Sequence, residues 1–490
     1  MALIDIRNLT FEYIGGLEPI FEDLNLQLDT DWKLGLIGRN GYGKTTFLQL
    51  LMGKYLYQGA IIKPIPMAYF PFSIDNYEMM TLDLLRSLQA DFQQWKLERE
   101  MNLLEVEEET LYREFASLSG GEQTKILLAL LFAEEDRFLL IDEPTNHLDI
   151  HGRELVAKYL ESKKGFILVS HDREFINSIV DHVLSIEKNK IVLQKGSYDT
   201  WEANKNLEDQ YELEKNQKLR KEIRRLKESA REKALWSDKI EATKIGSGPV
   251  DRGYIGHMAA KMMKRSKSIE KRYEKAIKEK EKLLKNIEPI EKLQINNLEH
   301  HARPYINVEN FTISYDDKEI FRPIDFTVEK GDCILLKGDN GSGKSSIIKA
   351  ILGRRVPWKG KLEIAKGITI SYVPQKFHYV KGNINDFVNR EGLDKTMFLT
   401  ILRKLGFSRN QFEIAIENFS MGQKKKIFLA KSICEEAHIF IWDEPLNYID
   451  VISRIQIENM ILEYSPTMIL VEHDSRFIDK VATDIIELSR

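Results

Sequence analysis

The sequence predicts a doubled α/β fold, two parallel-sheet domains joined by a long antiparallel α-helical hairpin. Three observations predict it. Several short motifs occur twice in the same order at a spacing of 300 to 302 residues. Each copy alternates continuous apolar runs with helical patterns, the mark of parallel strands covered on both faces. The stretch between the copies is helical in period and strongly basic.

Length and composition set the frame. A chain of 490 residues accommodates two to four domains with their own cores. At 43% hydrophobic and 30% charged it is neither disordered, collagen-like nor disulfide-stapled. The longest apolar stretch, Ile126 to Ile141, is broken by Glu134, Glu135, Asp136 and Arg137, short of the roughly 18 residues a membrane span needs. The N-terminus alternates like a strand and lacks the pattern of a secretory signal. With only Cys333 and Cys434, a reducing cytoplasm is the expected location and a cysteine metal site is not expected.

In chain order, GRNGYGKTT (Gly38 to Thr46) recurs as GDNGSGKSS (Gly338 to Ser346), FLLIDEPTNHLD as IFIWDEPLNYID, and LVSHDREF as LVEHDSRF. The expected domains are 1–204, with a short, partly acidic helical insertion at about 73–115, a linker at 205–303, and 304–490. In each copy one apolar run (Leu34 to Ile37, Ile334 to Leu336) enters a glycine turn and a helix, the second ends in Asp-Glu, and the third precedes a histidine.

The glycine turn is a phosphate-binding loop. Gly38, Asn40, Gly41 and Gly43, with Gly338, Asn340, Gly341 and Gly343, let successive N–H groups curl round phosphates. Lys44 and Lys344 add charge, Thr45 and Ser345 supply hydroxyls for Mg²⁺, and Thr46 and Ser346 close each loop. Asp142 and Asp443 are placed to hold Mg²⁺ through water, and Glu143 and Glu444 to polarise the attacking water. His171 and His473, after the next strand, are positioned to reach a γ-phosphate. ATP with Mg²⁺ is the expected ligand.

LSGGEQ (Leu118 to Gln123) and FSMGQKK (Phe419 to Lys425) lie between loop and acidic strand. With the other motifs they resemble the signature of the ATP-binding-cassette ATPases, over roughly 390 residues. The resemblance implies cassettes facing head to tail, so that Ser119, Gly120, Gly121 and Glu122 complete the second ATP site and Ser420, Gly422 and Gln423 the first. It also implies that Tyr13 and Tyr315 stack on adenine and that Gln375 helps to position Mg²⁺. Phe72 stands where the first cassette would carry that glutamine, and Met421 replaces a signature glycine. Both departures fall in the first composite site, which is therefore expected to hold ATP longer while the second turns over faster.

The net charge of −4 is an average over unlike parts. Lys215 to Lys285 holds 23 basic against 10 acidic residues, whereas the remainder holds 49 against 66. Leu219, Ile223, Leu226, Ala230 and Ala234, then Ile269, Tyr273, Ile277, Leu284 and Ile287, recur at helical spacing on either side of a glycine-rich turn. A helix from Asn206 to Ala242 would run roughly 55 Å. The basic surplus suits a polyanion, and the tip at about 243–265 offers cations and stacking or apolar groups: Lys244, Arg252, Tyr254, His257, Met258, Lys261, Lys264 and Arg265.

Two such cassettes joined by a charged helical linker resemble the F subfamily, ABC-F, and within it the Lsa-type antibiotic-resistance proteins. The resemblance implies a monomer that binds the bacterial 70S ribosome when ATP closes its cassettes. Its linker would then enter from the tRNA exit site to the 23S rRNA near the peptidyl-transferase centre. Lincosamides, pleuromutilins and streptogramin A antibiotics would be displaced. A housekeeping translation factor, a transporter ATPase and a DNA-repair ATPase are the alternative readings.

Overall fold

In the computed structural model the described residues are 2–13, 19–90, 92–146, 148–187, 190–242, 291–315, 318–377 and 380–489, with 264, 268, 271–272 and 275 in the linker. The chain divides into two compact units, one of residues 1–199 with 290–490 and one of residues 200–289. Both cassettes share the first unit. Compared with the boundaries expected at 204 and 303, the linker unit starts and ends earlier along the chain.

The first cassette carries strands β1 (Leu3–Phe11), β2 (Phe21–Asp29), β3 (Lys33–Gly38), β4 (Gln58–Ile62), β5 (Met67–Phe70), β6 (Phe138–Asp142), β7 (Phe166–Val169), β8 (His182–Glu187) and β9 (Lys190–Lys195). Its main sheet runs β5-β6-β7-β3-β8-β9, parallel except for the antiparallel last pair. The antiparallel sheet β2-β1-β4 adds a layer that the motif pattern did not anticipate. Phe138, Leu140, Ile167 and Val169 are wholly or almost wholly buried beneath it, each contributing about 1.5–3 kcal/mol by burial.

The helices are α1 (Lys44–Met52), α2 (Thr81–Leu88), α3 (Gln94–Leu103), α4 (Gly120–Ala133), α5 (Ile150–Glu161) and α6 (Arg173–Ile179). The insertion folds as α2, α3 and short 3₁₀ turns at Glu108–Tyr112 and Phe115–Ser117. Its acidic character is only partly a solvated face. Glu100 is fully buried and accepts from Tyr159 Oη at 2.6 Å and from Lys163, which anchors α3 to α5.

Tyr198–Ala242 forms one 45-residue helix, α7, roughly 67 Å long and starting eight residues before the expected Asn206. Lys264 is helical and exposed. The tip residues Lys244, Arg252, Tyr254, His257, Met258, Lys261 and Arg265 lie outside the described residues.

The second cassette repeats the plan with β10 (Asn296–Asn297), β11 (Ile306–Tyr315), β12 (Lys318–Glu319), β13 (Ile324–Val328), β14 (Cys333–Lys337), β15 (Trp358–Ile364), β16 (Ile370–Val373), β17 (Glu436–Ala437), β18 (Ile439–Asp443), β19 (Met468–Val471) and β20 (Asp484–Glu487). Its five-stranded sheet, β16-β18-β19-β14-β20, is wholly parallel and has the strand order of the first. Helices α8 (Lys344–Ile351), α9 (Ile384–Glu391), α10 (Lys395–Lys404), α11 (Met421–Cys434), α12 (Val451–Tyr464) and α13 (Ser475–Val481) complete it. Among the described residues no helix is long and apolar enough to cross a membrane.

Candidate nucleotide sites

Each phosphate loop joins the carboxyl end of a central strand to a helix, β3 to α1 and β14 to α8. Gly43 and Gly343 take left-handed φ values of 95° and 99° at the helix starts. A Cβ on Gly43 would lie 2.6 Å from Ile20, so both conformation and space demand glycine there. Lys44 Nζ donates to Gly38 O at 2.8 Å and Asn40 Oδ1 at 3.1 Å, and Lys344 Nζ to Gly338 O at 2.6 Å and Asp339 O at 2.8 Å. Burial lowers both ammonium groups from their ordinary value against the pull of nearby acids.

β6 and β18 deliver their acids beside these loops. Thr45 Oγ1 donates to Asp142 Oδ2 at 2.9 Å and Ser345 Oγ to Asp443 Oδ2 at 3.2 Å. Tyr69 Oη adds a bond to Asp142 at 3.1 Å, a partner that motif reading missed because it lies on β5. Burial, then Asp142, pushes the Glu143 carboxyl up to about 8, and burial, then Glu444, pushes Asp443 up to about 6. Asp443 Oδ1 is buried and accepts no hydrogen bond. Crowded acids with a spare acceptor beside a hydroxyl fit Mg²⁺, whose charge would restore their ionised forms.

His171 Nε2 lies 3.3 Å from Glu143 Oε1, and His473 Nε2 lies 3.9 Å from Glu444 Oε1. Burial, reinforced by Lys44 and Arg454, holds His171 well below its ordinary value, and burial with Arg153 pushes His473 down to about 3. Both rings are neutral at pH 7 and can orient an oxygen through one N–H.

Gln375 Nε2 donates to Glu444 Oε1 at 2.7 Å, a bond that uses the amide nitrogen and leaves to the Gln375 Oε1 the metal-positioning role expected of this residue. Asn447 Nδ2 holds the other oxygen at 2.6 Å. Phe72 offers no such donor in the first cassette.

The signatures cap their helices. Ser119 and Ser420 accept from Glu122 N and Gln423 N, while the Glu122 and Gln423 side chains turn back to the serine N–H groups at 2.7 and 2.9 Å. Those two side chains, expected at the nucleotide, therefore serve the helix start. Met421 packs against the apolar core of its own cassette. Tyr13 is 42% exposed, and its hydroxyl bonds Thr46 Oγ1 at 2.8 Å. Tyr315 ends β11, paired to Lys318.

The cassettes meet through these elements. Asn40 Nδ2 of the first phosphate loop donates to Tyr448 O of the second cassette at 2.8 Å. A Cβ on Gly422 would lie 2.4 Å from Tyr448 O and 3.0 Å from Asn40 Nδ2, so the second signature abuts the first loop with no room to spare. On the other side Ile150, His151 and Glu154 line a cavity with Lys337, Gly338 and Asp339.

Comparison with known proteins agrees with this geometry. The family described as ABC transporter matches residues 21–146 and 321–447. The chain is 30% identical to the ribosome protection protein VmlR of Bacillus subtilis, over 99% of this chain and 87% of that one. It is 29% identical to the ATP-binding protein Uup of Buchnera aphidicola, over 98% and 80%. The chain belongs to the ABC-F family of ATP-binding-cassette proteins. The fold resembles that of an archaeal ribosome recycling factor, aABCE1, solved with the ribosomal stalk protein aP1, at a TM-score of 0.63 and 18% identity over 98% of this chain and 87% of that one.

As an ABC-F member the protein is an ATPase, and its two nucleotide sites differ in more than the expected positions. Lys425 in α11 and Glu472 after β19 are both buried, where the first cassette has Thr124 and Ser170. Glu472 accepts from Leu446 N at 2.8 Å and His473 N at 2.7 Å. Both residues lie inside repeated motifs, FSMGQKK and LVEHDSRF, but at positions where the two copies differ, and a lysine within KKK reads as solvated.

Proposed function

We propose that this ABC-F ATPase is an ATP-gated ribosome-protection factor of the cytoplasm. ATP held between one phosphate loop and the opposite signature closes the cassettes. The closed state binds the 70S ribosome, and the basic hairpin enters from the exit-tRNA side towards the peptidyl-transferase centre. Lincosamides, pleuromutilins or streptogramin A leave as a result, and hydrolysis releases the protein.

The observation that carries this reading is the contact of Asn40 with Tyr448 and Gly422, which sets the first phosphate loop against the second signature as a site shared by the two cassettes would require. The 13-residue basic surplus of Lys215 to Lys285 supplies the RNA-seeking element, and the similarity to VmlR supports the direction. Thr45, Asp142, Ser345 and Asp443 would hold Mg²⁺, which would supply charge neutralisation at the transferred phosphoryl group. Glu143 and Glu444 orient the attacking water, and neutral His171 and His473 donate to the γ-phosphate.

The double variant Glu143→Gln with Glu444→Gln should pellet with 70S ribosomes in ATP and remain free in ADP. A variant that sediments free in both nucleotides overturns the reading. The similarity to Uup keeps a drug-independent translation role as the second reading. Deleting the gene separates the two: protection predicts lost drug tolerance with normal drug-free growth, and the translation role predicts slow growth without drug.

A further inference from the structure

Lys425 lies in the second turn of α11, is 1% exposed, and directs its ammonium at two main-chain carbonyls, Pro374 O at 3.1 Å and Asp443 O at 3.0 Å. Each carbonyl is one residue upstream of a member of the Gln375–Glu444 pair, whose amide and carboxylate are 2.7 Å apart. One charged donor thus clips the ends of β16 and β18 together beneath the glutamate of the second site, and charge-assisted bonds in a buried setting hold geometry strongly. The acids Asp443, Glu444 and Glu472 supply the opposing charge.

The same helix is capped by Ser420 and carries Gly422 in its first turn, and Gly422 lies against Asn40 of the first site. The first cassette lacks this arrangement. Thr124 Oγ1 bonds Gly120 O at 2.9 Å within its own helix, and Phe72 occupies the place of Gln375.

We propose that Lys425 is a positioning residue linking the two ATP sites: it ties the signature helix that completes the first site to the acidic strand of the second. Engagement of Ser420 and Gly422 by nucleotide in the first site is thereby transmitted to the orientation of Glu444. The reverse link, from the first signature to Glu143, is absent at the equivalent position. Coupling through this helix therefore runs between the first site's signature and the second site's chemistry.

The inference rests on Glu143 and Glu444 as the hydrolytic carboxylates, so each site is read alone in single-turnover experiments on the full chain. In a Glu143→Gln background, where the second site reports, Lys425→Met should slow hydrolysis about tenfold while ATP affinity, followed with a fluorescent analogue, changes less than about twofold. In a Glu444→Gln background the first site should keep its rate within about twofold. An equal loss in both backgrounds, or none in either, overturns the proposal. Lys425→Thr, the residue of the first cassette, provides the second variant should the methionine impair folding, with the same expectation. A double-mutant cycle tests the coupling. Gly422→Ala, which crowds the first site, should slow second-site hydrolysis when Lys425 is present and add nothing in Lys425→Thr; additive effects overturn the link. If Glu143→Gln and Glu444→Gln by themselves leave hydrolysis intact, the carboxylate assignment fails, an outcome separate from any effect of Lys425.

Discussion

Arg173 of the first cassette donates to Glu458 of the second at 2.9 Å, and both side chains are buried, 3% and 4% exposed. The positions that the internal repeat relates to them are Ser475 and Ala157, so this ion pair exists on one side of the cassette contact only. Lys480 also pairs with Glu458, and Ser475 bonds Glu174 nearby. A buried cation left without its acid is costly, whereas replacing both partners by apolar groups need not be.

Glu458→Ala should therefore destabilise the closed cassettes by about 3–5 kcal/mol, while Arg173→Met combined with Glu458→Leu should recover much of that loss. Urea unfolding of the two single variants and the double variant measures the coupling. Additive single losses would mean that the pair is incidental to closure.

The two glutamates should not be equivalent in hydrolysis. Gln375 and Asn447 hold both oxygens of Glu444, but Phe72 leaves the first site without the matching amide. Glu444→Gln should lower single-turnover hydrolysis by about 10²–10⁴-fold, the range for losing a general base, and by more than Glu143→Gln does. A larger loss from Glu143→Gln would reverse the order of the sites.

Gly422→Ala tests the closeness of the cassettes. Its added Cβ meets Tyr448 O of its own cassette at 2.4 Å and Asn40 Nδ2 of the first phosphate loop at 3.0 Å, so the signature helix must shift at the surface where the loop docks and the Asn40 contact is disturbed. A penalty of about 1–3 kcal/mol is expected, read as weaker ATP-dependent closure in a distance measurement between labels on the two cassettes.

Motif reading located the phosphate loops, the acidic strands and the signatures because each needs particular residue types within a few positions of one another. Gly43 must take left-handed φ against Ile20, and Ser119 must cap α4, so the requirement is written locally. Contacts such as Asn40 with Tyr448 or Arg173 with Glu458 join residues 285 to 408 positions apart, and no local pattern records them. Lys425 and Lys426 show the same limit from the other side. A run of three lysines reads as solvent-facing, yet two of them are buried because the sheet end and Asp450 offer acceptors that only the folded chain brings near.

Asp450 makes the acid stability of the second cassette predictable. Burial works to raise its carboxyl, but Lys426 Nζ at 2.6 Å, the Ser453 N–H at 3.0 Å and Lys44 of the first cassette outweigh burial and hold it well below the ordinary aspartate range. A carboxyl with a depressed folded-state value binds fewer protons folded than unfolded, so it adds stability above about pH 3.9 that is lost as pH falls through the folded value. Asp450→Asn should lower the melting temperature at pH 7, where it leaves the Lys426 ammonium buried beside a neutral amide. It should also flatten the acid limb, narrowing the gap to the parent as pH is taken from 5 to about 2.5. Melting temperatures measured across that range check the sign directly: a gap that widens on acidification would mean that the Asp450 carboxyl is protonated in the folded protein at neutral pH.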